Sequence, residues 1–129
     1  MLIYCDMDGV LVAQRGRERF DLMGWTADGK KLWDYIKPFN PSLLSMTPDS
    51  IHARASAEKA EWARRELGES VPVIVVKDSN GKSGYSSSGA ILIDDGAKHG
   101  AAWSGRGGIF IHHKSADATI AALAEILKC

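Results

Sequence analysis

The stretch Leu2-Ile3-Tyr4-Cys5-Asp6-Met7-Asp8-Gly9-Val10-Leu11 decides the fold. Its first four residues are apolar or aromatic and read as a buried strand with no polar face. A strand of that kind suits a parallel sheet covered on two sides. Asp6 and Asp8 leave the strand with one residue between them, and Gly9 permits a tight turn directly after it.

The pattern recurs outward from this point. Ser42-Leu43-Leu44 forms a short apolar run within residues 41–45, and residues 71–76 are β-branched and apolar, with Pro72 near their start. Residues 90–93 and 108–111 supply the last two runs. Helical periodicity lies between them. Residues 28–36 carry Leu32, Trp33 and Ile36 on one side, stopped by Pro38. Residues 56–67 place Ala60, Ala63 and Leu67 on one stripe and end at Gly68. Residues 116–127 carry Ile120, Leu123, Ala124 and Leu127 in register. This alternation predicts an α/β, Rossmann-like, doubly wound parallel sheet of about five strands with helices on both faces. Ligands of such folds gather at the carboxyl ends of the strands.

The chain has 129 residues, 45% of them hydrophobic and 25% charged, as expected of one globular domain over residues 1–129. Sixteen basic residues balance sixteen acidic ones, which excludes a general pull toward nucleic acid or anionic membrane. Cys5 and Cys129 make a poor disulfide framework, so a reducing compartment is expected. The first apolar run ends at Asp6, too early for a signal peptide or a membrane span. The expectation is a cytoplasmic protein with no membrane partner.

The topology gathers Asp6 and Asp8, Ser45, and Asp94 with Asp95 at one edge of the sheet. Carboxylates crowded there repel. A hard divalent cation with oxygen ligands relieves that repulsion, and magnesium prefers a few carboxylates plus waters and phosphate oxygens.

These residues resemble the motifs of the haloacid dehalogenase superfamily of phosphotransferases. Asp6-Met7-Asp8-Gly9-Val10-Leu11 looks like the first motif, Ser45 after Leu43-Leu44 like the second, Lys82 like the third and Leu92-Ile93-Asp94-Asp95 like the fourth. Within the superfamily the chain is similar to the 5'(3')-deoxyribonucleotidases and small bacterial and phage phosphatases. Lys59-Ala60-Glu61-Trp62 and the tail Trp103, Gly107-Gly108, Ile111-His112 carry that likeness. It departs from them between the first two motifs, where residues 12–44 have room for a flap hairpin and one helix only. Little or no cap is therefore expected.

The resemblance implies magnesium-dependent hydrolysis of a phosphomonoester. Asp6 would be the nucleophile and Asp8 the general acid and base. Magnesium would be held by Asp6, by the backbone carbonyl of Asp8 and by Asp95, with Asp94 in support. Ser45, the backbone amide of Met46, Lys82 and Lys59 would receive the phosphate. An open site would suit a nucleotide, a polynucleotide end or another phosphorylated molecule, or a cap lent by a second copy in a homo-oligomer. The alternative is a non-catalytic or regulatory domain of the same fold; a receiver-like domain places its acidic pair and its acceptor Asp in a different order.

Blander roles compete at several positions. Thr47 competes with Ser45, which is favoured because it follows the apolar run directly. Lys82 has better spacing to Asp94-Asp95 than Lys59, and Lys77 stands behind both. Arg15, Arg17 and Arg19 could grip further phosphate or form a solvated hairpin. His112 and His113 point to opposite faces of a strand and cannot share one metal. The four tryptophans read mainly as packing. Gly105-Arg106-Gly107-Gly108 reads as a turn into the last strand.

Overall fold

The computed structural model describes residues 2–13 and 19–128. Five strands run parallel: β1 (Ile3–Cys5), β2 (Ser42–Met46), β3 (Val73–Val76), β4 (Ile91–Asp94) and β5 (Ile109–His112). Their order is β3-β2-β1-β4-β5. The chain winds outward from the central β1 through β2 to β3, then crosses back to β4 and β5. The carboxyl ends of β1 and β4 thus meet at the point where the winding reverses, the usual place for a ligand in this architecture.

Alternation along the strands divides the core in two. Ile3, Cys5, Leu43, Ile91, Ile93 and Ile111 face one way and pack with Leu32, Trp33, Ile36, Trp62 and Leu123. Those partners come from α1 (Gly29–Ile36), α2 (His52–Leu67) and α5 (Ala116–Leu127). Leu44, Ala90 and Leu92 face the other way, against Trp103, with Tyr4, Ile74, Val76 and Phe110 beside them. Two short helices, α3 (Ser79–Ser83) and α4 (Gly100–Ser104), cover this second face. The sheet is therefore doubly covered, as the apolar runs require.

The structure corrects the sequence reading in places. The strand bounds move by one to two residues, and β2 continues through Ser45 to Met46. Helix α2 begins at His52, earlier than residue 56, and its buried face is Ala55, Lys59, Trp62 and Ala63, with Ala60 turned to solvent. Ala124 is likewise exposed on α5, whose buried residues are Ala116, Thr119 and Leu123. Sequence reasoning did not anticipate α3 and α4.

The expected flap starts as a hairpin. Ala13 N–H donates to Gly24 O at 2.9 Å, and Thr26 N–H to Leu11 O at 2.9 Å. Two 3-10 turns, Phe20–Leu22 and Lys37–Phe39, and α1 are the only helical elements between β1 and β2 among the described residues. Arg15 and Arg17 lie outside the described residues. Among those described, no helix is long and apolar enough to cross a membrane.

Candidate active site

Each candidate side chain owes its place to a strand end or to a helix packed beside one. Asp6 follows β1 directly, and its N–H donates to Ile93 O at 2.8 Å, which ties it to β4. The chain then turns sharply. Leu11 and Val12 N–H groups both reach back to Met7 O, and Gly9 adopts a φ of 80°. Only glycine takes that conformation without strain. It also makes room: a Cβ at Gly9 would stand 2.7 Å from Cγ of Asp95.

The carboxylates of Asp94 and Asp95 differ in environment. Asp94 is buried, and both its oxygens are engaged. Lys82 Nζ donates to Oδ2 at 2.6 Å and Gly96 N–H to Oδ1 at 2.8 Å. Asp95 is exposed, and its carboxylate accepts no hydrogen bond among the described residues.

Lys82 reaches this point because α3 is short and tightly seated. Asp78 caps the helix by accepting from Gly81 N–H at 2.8 Å. Gly81 lets it approach β3 so closely that a Cβ would lie 2.7 Å from Val76 Cβ. Lys82 Nζ then sits 3.1 Å from Asp6 Oδ1 as well, bridging Asp6 and Asp94. Lys59 serves a second pair: its Nζ donates to Asp8 Oδ2 at 3.1 Å and to Ser45 Oγ. Spacing set the two lysines in competition; the structure brings both to the aspartates, Lys82 to Asp6 and Asp94 and Lys59 to Asp8. Lys77 instead pairs with Asp49 at 3.0 Å on the surface. Thr47 Oγ1 is engaged with His52 Nδ1 at 2.9 Å, and Ser45 is the fully buried hydroxyl beside Lys59. Arg19 pairs with Asp21 through two hydrogen bonds at 3.0 and 3.1 Å, as a solvated hairpin would have it.

Electrostatics follow from burial. Desolvation pushes the Asp6 carboxyl well above the usual carboxylate range; Lys82 opposes this, and Asp94 and Asp8 add to it. Burial alone would lower the Lys82 ammonium, but Asp6 and Asp94 more than reverse that, and it stands above its ordinary value. Burial, then Asp6, push the Cys5 thiol up, so this neighbour of Asp6 is an inert core group. Asp6, Asp94 and Asp95 each offer an oxygen within 4.8 Å of the others. An all-oxygen carboxylate set beside a raised Asp6 fits a hard dication.

Asp6, Asp8, Gly9, Lys82, Asp94 and Asp95 line an open cleft of about 350 Å³ with Met46, Gly96, Lys98 and His99. Lys98 and His99 were not foreseen; their only sequence signal is a position one turn past Asp94-Asp95. His99 is buried, its Nε2 4.0 Å from Asp94 Oδ2, and burial pushes its imidazole down. A second hollow of about 360 Å³, between Trp33, Asn40, Leu67 and Val71, carries no carboxylate. His112, at the end of β5, is exposed, and His113, one residue past it, is buried.

No protein-family model matches the sequence, and neither does any curated protein. Among solved structures, D,D-heptose 1,7-bisphosphate phosphatase from Burkholderia thailandensis superposes with a TM-score of 0.59 at 11% identity. The alignment covers 95% of this chain and 97% of that one. The two chains share their fold. The Rossmann-like, doubly wound parallel sheet that the alternation of strands and helices predicted is the fold of this chain.

Proposed function

We propose that the chain is a magnesium-dependent phosphomonoesterase in which Asp6 is the nucleophile and Asp8 the general acid and base. One observation carries this reading: the two aspartates are held by different lysines. Lys82 bridges Asp6 to Asp94, whereas Lys59 ties Asp8 to Ser45. Neighbours in sequence thus stand in separate surroundings, as two distinct chemical jobs require.

In the first step an Asp6 oxygen bonds to phosphorus, and the bond from phosphorus to the leaving oxygen breaks. Asp8 gives that oxygen a proton. In the second step Asp8 takes a proton from water, whose oxygen displaces Asp6 and releases phosphate. Ser45, the Met46 amide and Lys82 would bind the phosphoryl oxygens. Magnesium would be held by Asp6, Asp95 and the Asp8 carbonyl, with Asp94 behind them, and would offset charge on the phosphoryl group. Asp95 suits that role because both Asp94 oxygens are already engaged.

The structural neighbour hydrolyses a sugar bisphosphate by its name, and the resemblance points to nucleotides. A screen with magnesium should therefore include mononucleotides, DNA with 3'- or 5'-phosphate ends, sugar mono- and bisphosphates and an aryl phosphate. Turnover should vanish in chelator, return with magnesium and stay poor with calcium, whose coordination is longer and looser. Full activity in chelator would sink the metal-assisted reading. A stable phosphoprotein without turnover would favour a regulatory domain instead.

A further inference from the structure

We infer that Phe20 is a positioning residue for Asp8, acting through Lys59 on the acid that serves the leaving group; this rests on the phosphatase reading above. Residues 19–25 lie along α2 as a strap. Phe20 N–H donates to Glu58 Oε1 at 2.9 Å, Trp62 Nε1 to Met23 O at 2.9 Å, and Trp25 Nε1 to Glu66 Oε1 at 2.8 Å. Glu58, Trp62 and Glu66 are spaced four apart and share one face of the helix. Arg65 adds a bond to Asp21 O at 2.7 Å.

The strap delivers the Phe20 ring to Lys59, whose Nζ stands 4.6 Å from the ring centre. Both side chains are buried. The ammonium is thus enclosed by three neighbours: the ring face, Asp8 Oδ2 and Ser45 Oγ. An aromatic face attracts a desolvated cation and leaves it little freedom to move. Lys59 in turn fixes Asp8 through Oδ2. Asp8 Oδ1 is buried and has no hydrogen-bond partner among the described residues, so Lys59 is the group that sets the carboxylate's orientation. Phe20 does not line the cleft, so its influence passes through Lys59.

A purely structural Phe20, or one that acted through Ser45, would affect every substrate alike, because all present the same phosphoryl group. One that acts through Asp8 matters only where the leaving group needs a proton. The test is rapid-quench measurement of the first step with an alkyl and an aryl phosphate, both with magnesium. Phe20→Leu should slow the alkyl ester about tenfold and the aryl ester less than about twofold, a cation–π contact being worth that order of rate. In a Lys59→Met background the Phe20→Leu effect should disappear. Should the Leu variant not fold, Phe20→Met takes its place. Equal changes for the two esters, none included, or an effect that persists without Lys59, would overturn the inference and leave the phosphatase reading standing. An unmodified chain that cleaves neither ester would overturn both.

Discussion

Asp95 lies directly over Gly9, close enough that the carboxylate occupies the space a Cβ would need. The turn that follows Asp6 and the exposed carboxylate of Asp95 are therefore one fitted unit. Gly9→Ala should push Asp95 aside, and the φ of 80° adds strain of about 1–2 kcal/mol. The magnesium concentration for half-maximal turnover should rise about tenfold or more, measured by titration alongside calorimetry. An Ala variant with unchanged magnesium affinity would detach Asp95 from the metal.

Lys82 is the countercharge for two buried carboxylates. Lys82→Ala leaves both unpaired, a change that typically costs about 3–5 kcal/mol. Turnover should be lost for alkyl and aryl esters alike, and denaturant unfolding should show the lower stability. Adding Asp94→Asn should recover part of the stability and none of the activity. Lys59→Ala should cost less turnover than Lys82→Ala; the reverse order would exchange the two roles.

Asp6→Asn should abolish turnover of every substrate, because an amide at that position cannot form the intermediate. Asp8→Asn should slow the alkyl ester by roughly two to four powers of ten. With an aryl ester it should give a burst of phenol and then slow turnover, since water attack on the intermediate still lacks its base. Mass analysis of the peptide containing Asp6 should find the phosphoryl group there and nowhere else.

Buried His113, whose Nδ1 is paired with Thr119 Oγ1 at 2.7 Å, has an imidazole that burial pushes below its ordinary value. Above about pH 6.5 both folded and unfolded states are neutral there. As pH falls, the unfolded state gains its proton first, so stability is lost until the folded group also titrates. The slope due to this residue is at most about 1.4 kcal/mol per pH unit. Melting curves between pH 7.5 and 5 should show a shallower decline for His113→Asn than for the unmodified chain.

The strands were legible because each is apolar on both faces, a pattern few other elements produce. The strand ends followed, and with them Asp6, Asp8, Ser45, Asp94 and Asp95. Helix α2 was misphased for a physical reason. Its buried stripe contains Lys59, whose ammonium is engaged by Asp8 and Ser45, so counting apolar residues rotated the helix toward Ala60. Helices α3 and α4 have five residues each and no apolar period of their own; a cap and close glycine packing hold α3. No spacing rule could divide the two lysines, since they reach the site from different elements. Phe20 gave only a weak signal, a lone aromatic in a charged stretch.

The hydrogen bond from Asp6 N–H to Ile93 O, with Cys5 paired to Ile93, has a consequence for refolding. Asp6 and the pair Asp94-Asp95 meet only after two segments nearly ninety positions apart have joined in register. Long-range pairing of this kind is slow. A slip of one residue would send Asp94 to the opposite face. Hydrolytic competence should therefore return no sooner than the slowest phase of sheet assembly, well after helical signal is regained. Recovery of aryl phosphate turnover thus becomes a clock for the last strands to dock.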